Sequence, residues 1–318
     1  MEKQELQKKI PLVVIVGPTA SGKSKLAVEL AHWLQTEIVS ADSMQIYRGM
    51  QIGTAKPTVE EMGGIAHHLI DFVELNEPFS VADYVAHAKI CVERIAQKGK
   101  IPILAGGTGL YINSFLENLQ FSDEEKDTVL CEQLAEKARE QGVQALVEEL
   151  RSFDPQSAER IDSHNVGRII RAIEIYRTTG MTMTEHMEQS RRIPSPYSAC
   201  IIGLDYTDRA ILYDRINRRV DQMMHMGLVE EAKQVLSEQD GKTALQAIGY
   251  KELLPYFQGN FTLEEAVEHM KRETRRYAKR QLTWFRRNPN IHWLKVDEME
   301  SHEQLVEEAK SIVTQFQF

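Results

Sequence analysis

The strongest chemical signal in the sequence is a glycine-rich segment near its start, which matches the pattern G-x-x-x-x-G-K-[ST]. Its eight residues are Gly17, Pro18, Thr19, Ala20, Ser21, Gly22, Lys23 and Ser24. A β-branched run precedes the segment and an amphipathic helical pattern follows it, as this motif requires. The glycines let successive backbone N–H groups turn toward an anion, and a helix N-terminus adds positive partial charge. We therefore expect a bound diphosphate or triphosphate, with Lys23 neutralising its charge and the Ser24 hydroxyl holding Mg²⁺.

A second group of polar residues follows the next predicted strand. Asp42 stands at its end, and ligands of open α/β sheets bind at the carboxyl ends of strands, so we expect Asp42 to face the glycine-rich segment. Asp42 can ligate Mg²⁺, act as a general base for an attacking nucleophile, or only cap a turn, as aspartates often do. Beside it, Ser43 and Gln45 can hydrogen-bond the edge of a base, and Met44 can lie against a base or belong to the core.

A third polar segment, Gly106-Gly107-Thr108-Gly109, closes the fourth predicted strand at the same edge of the sheet. It lacks the third glycine of the dinucleotide fingerprint, which argues against a nicotinamide cofactor. We expect the backbone here to approach a ligand closely, with Thr108 donating a hydrogen bond.

Short β-branched runs and helical patterns alternate along most of the chain, and this alternation predicts the elements that position these residues. Runs this apolar are typical of strands buried on both faces of a parallel sheet, and the helices between them would cover it. The predicted strands are Leu12–Val16, Glu37–Ser40, His68–Val73, Ile101–Ala105, Cys200–Leu204 and Ile291–Val296, with helices at Lys25–Gln35 and Val81–Gln97. The expected fold class is α/β, a P-loop NTPase-like parallel sheet core flanked by helices.

Residues 117–199 interrupt the alternation and predict an all-helical insertion domain. Ser122 and Glu125 form a capping box for a helix toward residue 141, and Asp154 with Pro155 marks another helix start. A third helix is predicted over Asn165–Thr178, ending at Gly180. The expected organisation is therefore a first core part over 1–116, the insertion over 117–199 and a core completion over 200–318.

A predicted helix over Val267–Arg287 carries a concentrated positive charge. Residues 271–287 hold eight basic side chains against one acid, Glu273, although the whole chain has a formal charge of −9. The net charge argues against nucleic-acid binding through bulk charge, but a local basic face suits a polyanion. A solvated face that balances the acidic remainder is the alternative. One stripe of this helix carries Val267, Met270, Thr274, Tyr277, Gln281 and Phe285.

Composition places the chain among ordinary globular proteins. Hydrophobic residues make up 42% and charged residues 27% of its 318 residues. Cys91, Cys131 and Cys200 form no C-x-x-C pair, so neither a disulfide framework nor a zinc module is expected. The apolar run near the start is too short for a signal peptide or a membrane span, which favours the cytoplasm and no membrane partner.

Read in order, these segments resemble the bacterial tRNA dimethylallyltransferase (tRNA isopentenyltransferase) family. The resemblance extends over nearly the whole chain. The sequence shows no C-terminal zinc finger, which the eukaryotic members carry. Besides the glycine-rich segment, it rests on Asp42–Gly49, Ile52–Pro57, Gly106–Tyr111, Arg168–Ala172, Gln246–Lys251 and Lys279–Trp284.

The resemblance implies transfer of a dimethylallyl group from dimethylallyl diphosphate to N6 of the adenine at tRNA position 37, 3′ of the anticodon, with release of diphosphate. It further implies Mg²⁺ as cofactor, Asp42 as the base and an arginine on the diphosphate, which corresponds to Arg219, with the adjacent Arg218 as the alternative. The partners are then a tRNA anticodon stem-loop and dimethylallyl diphosphate, and a monomer is the expected state.

The target base must leave its stack, so residues that hold RNA are needed as well. Arg168 and Arg171 can take phosphates of the anticodon stem, or they can pair with an acidic neighbour such as Glu174. The full set of expected tRNA contacts is Asp42, Ser43, Met44, Gln45, Thr108, Arg168, Arg171, Gln246, Gly249, Tyr250, Lys251, Lys279, Arg280 and Gln281.

Three other functions fit parts of the pattern. A P-loop kinase of a small molecule shares the phosphate loop and an aspartate after the second strand, but it must consume ATP. An adenylate isopentenyltransferase shares the core and acts on a free nucleotide. A nucleotide-gated RNA-binding module would bind RNA with a steep salt dependence and release no diphosphate.

Overall fold

The computed structural model describes residues 9–121, 127–190, 193–237 and 247–318. The chain forms two compact units. One, here called the core, contains Met1–Leu116 and Pro196–Phe318, and the other, the helical unit, contains Glu117–Ser195.

A six-stranded sheet forms the centre of the core. Its strands are β1 (Ile10–Val16), β2 (Ile38–Ala41), β3 (His67–His68), β4 (Ile103–Gly106), β5 (Tyr197–Asp205) and β6 (Ile291–Lys295). They are all parallel and lie in the order β3-β2-β4-β1-β5-β6. The predicted α/β class is confirmed, and β1 is buried on both faces from Leu12 to Val16.

The predicted strand over His68–Val73 is wrong beyond His68. Leu69 and Asp71 have φ values of +61° and +58°, which end the extended conformation because a left-handed residue cannot continue a strand. The chain instead turns back, and Val73 forms an isolated bridge with Tyr47.

Helices cover the sheet before the chain enters the helical unit. They are α1 (Lys23–Leu34), α2 (Val59–Met62), α3 (Val81–Gln97) and α4 (Gly109–Leu116). The predicted helix over Val81–Gln97 is confirmed, and Ser80 begins it with a capping box to Asp83. Leu26 and Leu30 of α1 are fully buried in the same cluster as Val13 and Ile15 of β1, so α1 holds one face of the sheet.

Among its described residues, the helical unit contains helices and no strand. They are α5 (Thr128–Gln141), α6 (Val143–Phe153), α7 (Pro155–Arg160), α8 (Val166–Thr179) and α9 (Met183–Ser190). Asp154 caps α7 by accepting from Ser157 N at 3.0 Å, and Asn165 and Gly180 bound α8 as predicted. The predicted capping box at Ser122 and Glu125 lies outside the described residues.

The expected boundary after residue 199 lies too far along the chain. The helical unit ends at Ser195, and β5 begins at Tyr197, where Ile10 pairs with it at the start of β1. The apolar run from Cys200 did not mark this start, because the first residues of β5, Tyr197, Ser198 and Ala199, are not β-branched.

The second half of the core is mainly helical. It contains α10 (Arg209–His225), α11 (Leu228–Ser237), α12 (Leu254–Phe257), α13 (Leu263–Phe285) and α14 (His302–Gln315), with short 3₁₀ turns at Lys251–Leu253 and Val296–Glu298. Packing against the loop after β2, residues of α10, α11 and α13 form a second apolar cluster with Ile46, Tyr47 and Tyr250. Within the described ranges, no helix has the length and apolar composition needed to cross a membrane.

Candidate active site

The glycine-rich segment connects β1 to α1, as predicted. Its two glycines are required for different reasons. Gly17 has φ +148°, and a Cβ there would lie 2.8 Å from the carbonyl oxygen of Leu204 on β5. Gly22 has φ +96° and stands at the N-cap of α1, where a side chain would be strained. The segment therefore wraps around the start of α1, whose N–H groups remain available for an anion.

Lys23 lies inside this loop, and its Nζ donates to the Pro18 carbonyl oxygen at 2.6 Å. Burial and the nearby Arg219 cation lower the pKa of Lys23 to about 7, while Asp42 acts in the opposite direction. An anion in the loop would offset both effects, because it favours the ammonium form.

Asp42 follows β2 and has two roles in the structure. Its Oδ1 accepts from Met44 N at 2.9 Å and from Gln45 N at 3.4 Å, which is the turn-capping role that the sequence left open. Asp42 also lines a cavity, and the described residues place no hydrogen-bond donor on its Oδ2. One carboxylate oxygen therefore fixes the turn while the other can accept a proton.

The cavity has a volume of about 350 Å³ and joins the phosphate loop to Asp42. Lys23 and Ser24 line it from α1, and Arg219 lines it from α10. Its apolar wall consists of Ile216, Val220, Met223, Ala247 and Met270. A volume of this size, with a few convergent polar groups on apolar walls, is typical of a small-molecule site.

Arg219, and not Arg218, is the arginine of this cavity. Arg219 Nη2 donates to the Ala55 carbonyl oxygen at 3.4 Å, and burial lowers the pKa of Arg219. Arg218 instead forms an ion pair of 2.7 Å with Asp214 on the exposed side of α10. The two positions differ by 100° on the helix, so only Arg219 lines this cavity, whereas Arg218 lines a neighbouring cavity beside the phosphate loop.

The residues beside Asp42 line the cavity, and one of them also binds the backbone of a neighbouring loop. Ser43, Met44 and Gln45 all line the cavity. Gln45 Nε2 donates to Thr54 O at 3.2 Å and to Ala55 O at 3.3 Å. Its side-chain carbonyl oxygen is therefore the atom that can accept a hydrogen bond from a base.

Thr108 lies close to these residues but binds protein. Its Oγ1 accepts from Ser43 N at 3.0 Å and donates to Ser43 Oγ at 3.3 Å. These bonds join the end of β4 to the Asp42 turn, and the expected ligand contact of Thr108 stays a prediction.

The glycines after β4 approach α13, and Gly106 and Gly107 also line the cavity, so their approach to a ligand stays a prediction. A Cβ on Gly107 would lie 2.3 Å from Gln281 Nε2, and one on Gly109 would lie 2.2 Å from Trp284. Gln281 is buried; its Oε1 accepts from Thr19 N at 2.8 Å and its Nε2 donates to Gly107 O at 3.0 Å. Its amide joins the phosphate loop to β4, and Gln281 also lines the cavity, so its tRNA contact stays a prediction.

The segment before α12 contains predicted tRNA contacts that differ in their burial. Tyr250 is fully buried and packs on Gly53, so the expected tRNA contact of Tyr250 is wrong. Gly249 has φ +103° and donates its N–H to Glu252 at 2.8 Å. Lys251 lines the cavity and stays a candidate contact, while Gln246 lies outside the described residues.

The basic helix, α13, divides its charges between partners and solvent. Lys271 pairs with Asp221 at 2.8 Å, Arg276 with Glu273 at 2.6 Å, and Arg286 with Asp205 at 2.7 Å. Five basic residues have no ion pair within the part of the chain that the structure describes: Arg272, Arg275, Lys279, Arg280 and Arg287. Of these, Arg275 donates to Asn217 Oδ1 at 2.6 Å. Arg280 also lies over the Tyr277 ring, 5.7 Å from its centroid, at the cavity.

The two arginines of α8 differ in the same way. Arg171 forms an ion pair with the buried Glu174, which is the alternative that the sequence left open. Arg168 is exposed, and the described residues offer it no ion pair. Only Arg168 is therefore available to an RNA phosphate without breaking an existing contact.

A metal held by the protein alone does not fit the described residues, which contain no group of three or more His, Cys, Asp or Glu side chains at ligand spacing. Mg²⁺ usually keeps several waters and takes its remaining ligands from substrate phosphates. The exposed Ser24 hydroxyl in the first turn of α1 lines the cavity and fits an ion that arrives with a diphosphate.

The sequence missed four polar residues of the cavity: Ser40, Thr54, Thr274 and Tyr277. Thr274 and Tyr277 belong to the stripe recognised on α13, but a stripe at helical spacing does not distinguish a core face from a cavity face. Burial and the Asp42 charge raise the pKa of Tyr277, so it stays a neutral donor beside the carboxylate.

The sequence model described as IPP transferase matches residues 45–288. A tRNA dimethylallyltransferase from Acetivibrio thermocellus is 49% identical over 307 residues, which cover 96% of this chain and 98% of that protein. Another from Thermoanaerobacter sp. is 50% identical over 299 residues, covering 93% and 95%.

Solved structures agree with these relatives. The tRNA isopentenylpyrophosphate transferase of Bacillus halodurans has a TM-score of 0.71 and 44% identity, covering 96% of this chain and 98% of that one. A eukaryotic dimethylallyltransferase acting on tRNA has a TM-score of 0.81 and 27% identity, covering 97% and 81%. The family match spans most of the chain and the relatives align over nearly all of it, so the chain belongs to the IPP transferase family.

Proposed function

We propose that this chain transfers a dimethylallyl group from dimethylallyl diphosphate to N6 of the adenine at tRNA position 37, releasing diphosphate. The observation that carries the proposal is one cavity, lined by the phosphate loop, Arg219 and the Asp42 carboxylate. A leaving group that departs with negative charge and a nucleophile that must lose a proton need these two kinds of residue together.

The bonds and charges balance with the residues present. The N6 lone pair forms a bond to C1 of the dimethylallyl group, and the C1–O bond breaks with its electron pair on diphosphate. Lys23, Arg219 and the loop N–H groups stabilise that charge, while Asp42 takes the proton that N6 loses. A positioned base typically contributes ~10²–10⁴-fold to the rate.

We further propose Mg²⁺ as cofactor, held by Ser24 and the diphosphate oxygens. When bound, it would neutralise charge on the departing diphosphate. The protein residues orient the leaving group independently of the ion, because the loop N–H groups and Lys23 are fixed by backbone geometry.

An anticodon stem-loop is the proposed macromolecular substrate. The exposed cations Lys279 and Arg280 on α13 would take its phosphates, and Arg280 reaches the cavity where the flipped base would enter. In the helical unit, Arg168 supplies a further cation. We also propose that the chain acts as a monomer in the cytoplasm.

The test is incubation with labelled dimethylallyl diphosphate, Mg²⁺ and a stem-loop carrying adenine 37, followed by nucleoside analysis. We expect label on N6 of that adenine and none on a matched stem-loop with inosine 37, which lacks the amine. Label on free AMP but not on RNA would favour the adenylate transferase. Consumption of ATP without transfer of label would favour the kinase.

A further inference from the structure

Glu231 of α11 binds three consecutive backbone N–H groups in the loop after β2. Its Oε1 accepts from Ile52 N and Gly53 N, both at 2.9 Å, and its Oε2 accepts from Gln51 N at 3.0 Å and Ile52 N at 2.8 Å. The Tyr250 hydroxyl donates to Oε1 at 2.7 Å. Hydrogen bonds to a carboxylate are stronger than neutral ones, so this loop has a firm anchor.

The loop cannot satisfy these N–H groups by itself. Its own turn bonds run from Ala55 N to Ile52 O at 2.9 Å and from Lys56 N to Gln51 O at 3.0 Å. The three earlier N–H groups have no place in that turn, and a single carboxylate on α11 takes all of them.

Tight packing keeps the anchor and the loop together. A Cβ on Gly53 would lie 2.5 Å from the Tyr250 ring, so only glycine lets the two segments approach this closely. The two segments singled out in the sequence, 52–57 and 246–251, therefore meet at Glu231. Neither the phosphate loop nor the Asp42 turn explains them.

The anchored loop in turn holds two residues of the cavity. The Ala55 carbonyl oxygen accepts from Arg219 Nη2 at 3.4 Å and from Gln45 Nε2 at 3.3 Å, and Thr54 O accepts from Gln45 Nε2 at 3.2 Å. Ala55 has φ +47°, a left-handed conformation that an alanine holds only when its surroundings fix it.

We propose that Glu231 is a positioning residue for Arg219, acting through the 51–55 loop. Glu231 itself does not line the cavity. By fixing Ala55 O, it sets where the guanidinium of Arg219 meets the diphosphate, and the same loop orients Gln45. This inference rests on the proposed function, since it assigns Arg219 to the leaving group.

The test compares Glu231→Gln with Glu230→Gln, an exposed glutamate one position earlier on the same helix. A glutamine offers one acceptor oxygen and brings an amide that faces N–H groups. We expect Glu231→Gln to weaken binding of inorganic diphosphate, measured by calorimetry, at least about tenfold, and Glu230→Gln to stay within about twofold. In the transfer assay, Glu231→Gln should lower kcat more than it raises the KM for RNA.

A double-variant cycle separates positioning from a general loss of structure. Combining Glu231→Gln with Arg219→Gln should weaken diphosphate binding no further than Arg219→Gln alone, because the group that Glu231 positions is then absent. Additive losses, or unchanged diphosphate binding in Glu231→Gln, would overturn the inference.

A milder variant keeps the test decisive if Glu231→Gln fails to fold. Tyr250→Phe removes one donor and keeps the carboxylate, so we expect about fivefold weaker diphosphate binding that disappears in the Arg219→Gln background. A loss that persists there would contradict the assignment. If the wild-type protein binds diphosphate but transfers no dimethylallyl group, the proposed function fails while these binding comparisons still decide the role of Glu231.

Discussion

Lys23 and Arg219 bring two cations into one cavity. Burial lowers the pKa of both side chains, and the nearby Arg219 cation lowers that of Lys23 further, to about 7. The free site thus buries positive charge that nothing neutralises fully, and a bound diphosphate would neutralise it. Charge that grows on the departing diphosphate makes this attraction stronger in the transition state than in the ground state.

The pKa of Lys23 predicts proton uptake when diphosphate binds. The bound anion raises that pKa, so Lys23 takes up a proton from solution on binding wherever it is neutral in the free site. The affinity for diphosphate therefore falls as the pH rises above about 7. At pH 8 the wild-type protein should take up about 0.9 proton more than Lys23→Met, measured by calorimetry in buffers of different ionisation enthalpy. Equal uptake in the two proteins would mean that Lys23 is already charged in the free site.

The neighbouring arginines of α10 form a matched pair for testing the diphosphate contact. Arg219 lines the cavity, whereas Arg218 pairs with Asp214 at the surface. We expect Arg219→Gln to lower the transfer rate by about 10²–10³, and Arg218→Gln to change it less than about fivefold, because exposed pairs contribute little. The transfer rates of both variants are measured at saturating substrate concentrations. Equal losses of rate would contradict a specific role of Arg219 at the diphosphate.

At the scale of elements, α13 serves the site with two faces. Its inner face contributes Gln281, which joins the phosphate loop to β4, and Tyr277, which lines the cavity beside Asp42. Its outer face carries cations that lack ion pairs in the described structure, such as Lys279, and Arg280 extends from there to the cavity over the Tyr277 ring. One helix thereby couples the position of the phosphate loop to the proposed path of the RNA.

The outer face predicts a change in the salt dependence of RNA binding. Replacing Lys279 and Arg280 together with alanine should weaken stem-loop binding and reduce the slope of log K against log salt by about 2, with the single-turnover rate little altered. Arg276→Ala is the control, since Arg276 is already paired with Glu273. An unchanged slope in the double variant would move the RNA path to another face.

Much of the element order was predictable because it depends on local patterns. The phosphate loop, the alternation of strands with helices, and the helix starts at Asp154 and Asn165 all follow from residues close together in the chain. The strand predicted to run to Val73 failed because the left-handed residues Leu69 and Asp71 are not glycines, and sequence rules favour glycine in that conformation.

The roles of Gln281 and Tyr250 could not be predicted, since each depends on contacts across a large separation in sequence. Gln281 meets Thr19, and Tyr250 meets Glu231 and Gly53. A resemblance identifies such positions as characteristic of the family without saying whether they contact RNA or protein.

At the scale of the whole molecule, the helical unit carries a candidate RNA contact of its own. Arg168 is exposed on α8, and Arg171, which lies one turn further on, is engaged with Glu174. The two arginines look equivalent in sequence, and only the burial of Glu174 separates them.

This difference predicts opposite results for two substitutions in the helical unit. Arg168→Ala should weaken stem-loop binding and leave the unfolding midpoint unchanged. Arg171→Ala should cost about 1–3 kcal/mol of stability, because it leaves the buried Glu174 carboxylate without its cation. Binding titrations and denaturant unfolding check both, and a stability loss confined to Arg168→Ala would reverse the assignment.

The most direct measurement is the single-turnover transfer rate of Asp42→Asn beside that of Asp42→Ala, with stem-loop affinity measured on the same proteins. Asparagine keeps the oxygen that accepts from Met44 N and Gln45 N but is no base, whereas alanine removes both functions. We expect both variants to lose at least ~10² in rate while RNA affinity stays within a few-fold. A fully active Asp42→Asn beside an inactive Asp42→Ala would show that Asp42 only holds the turn and that another group removes the proton.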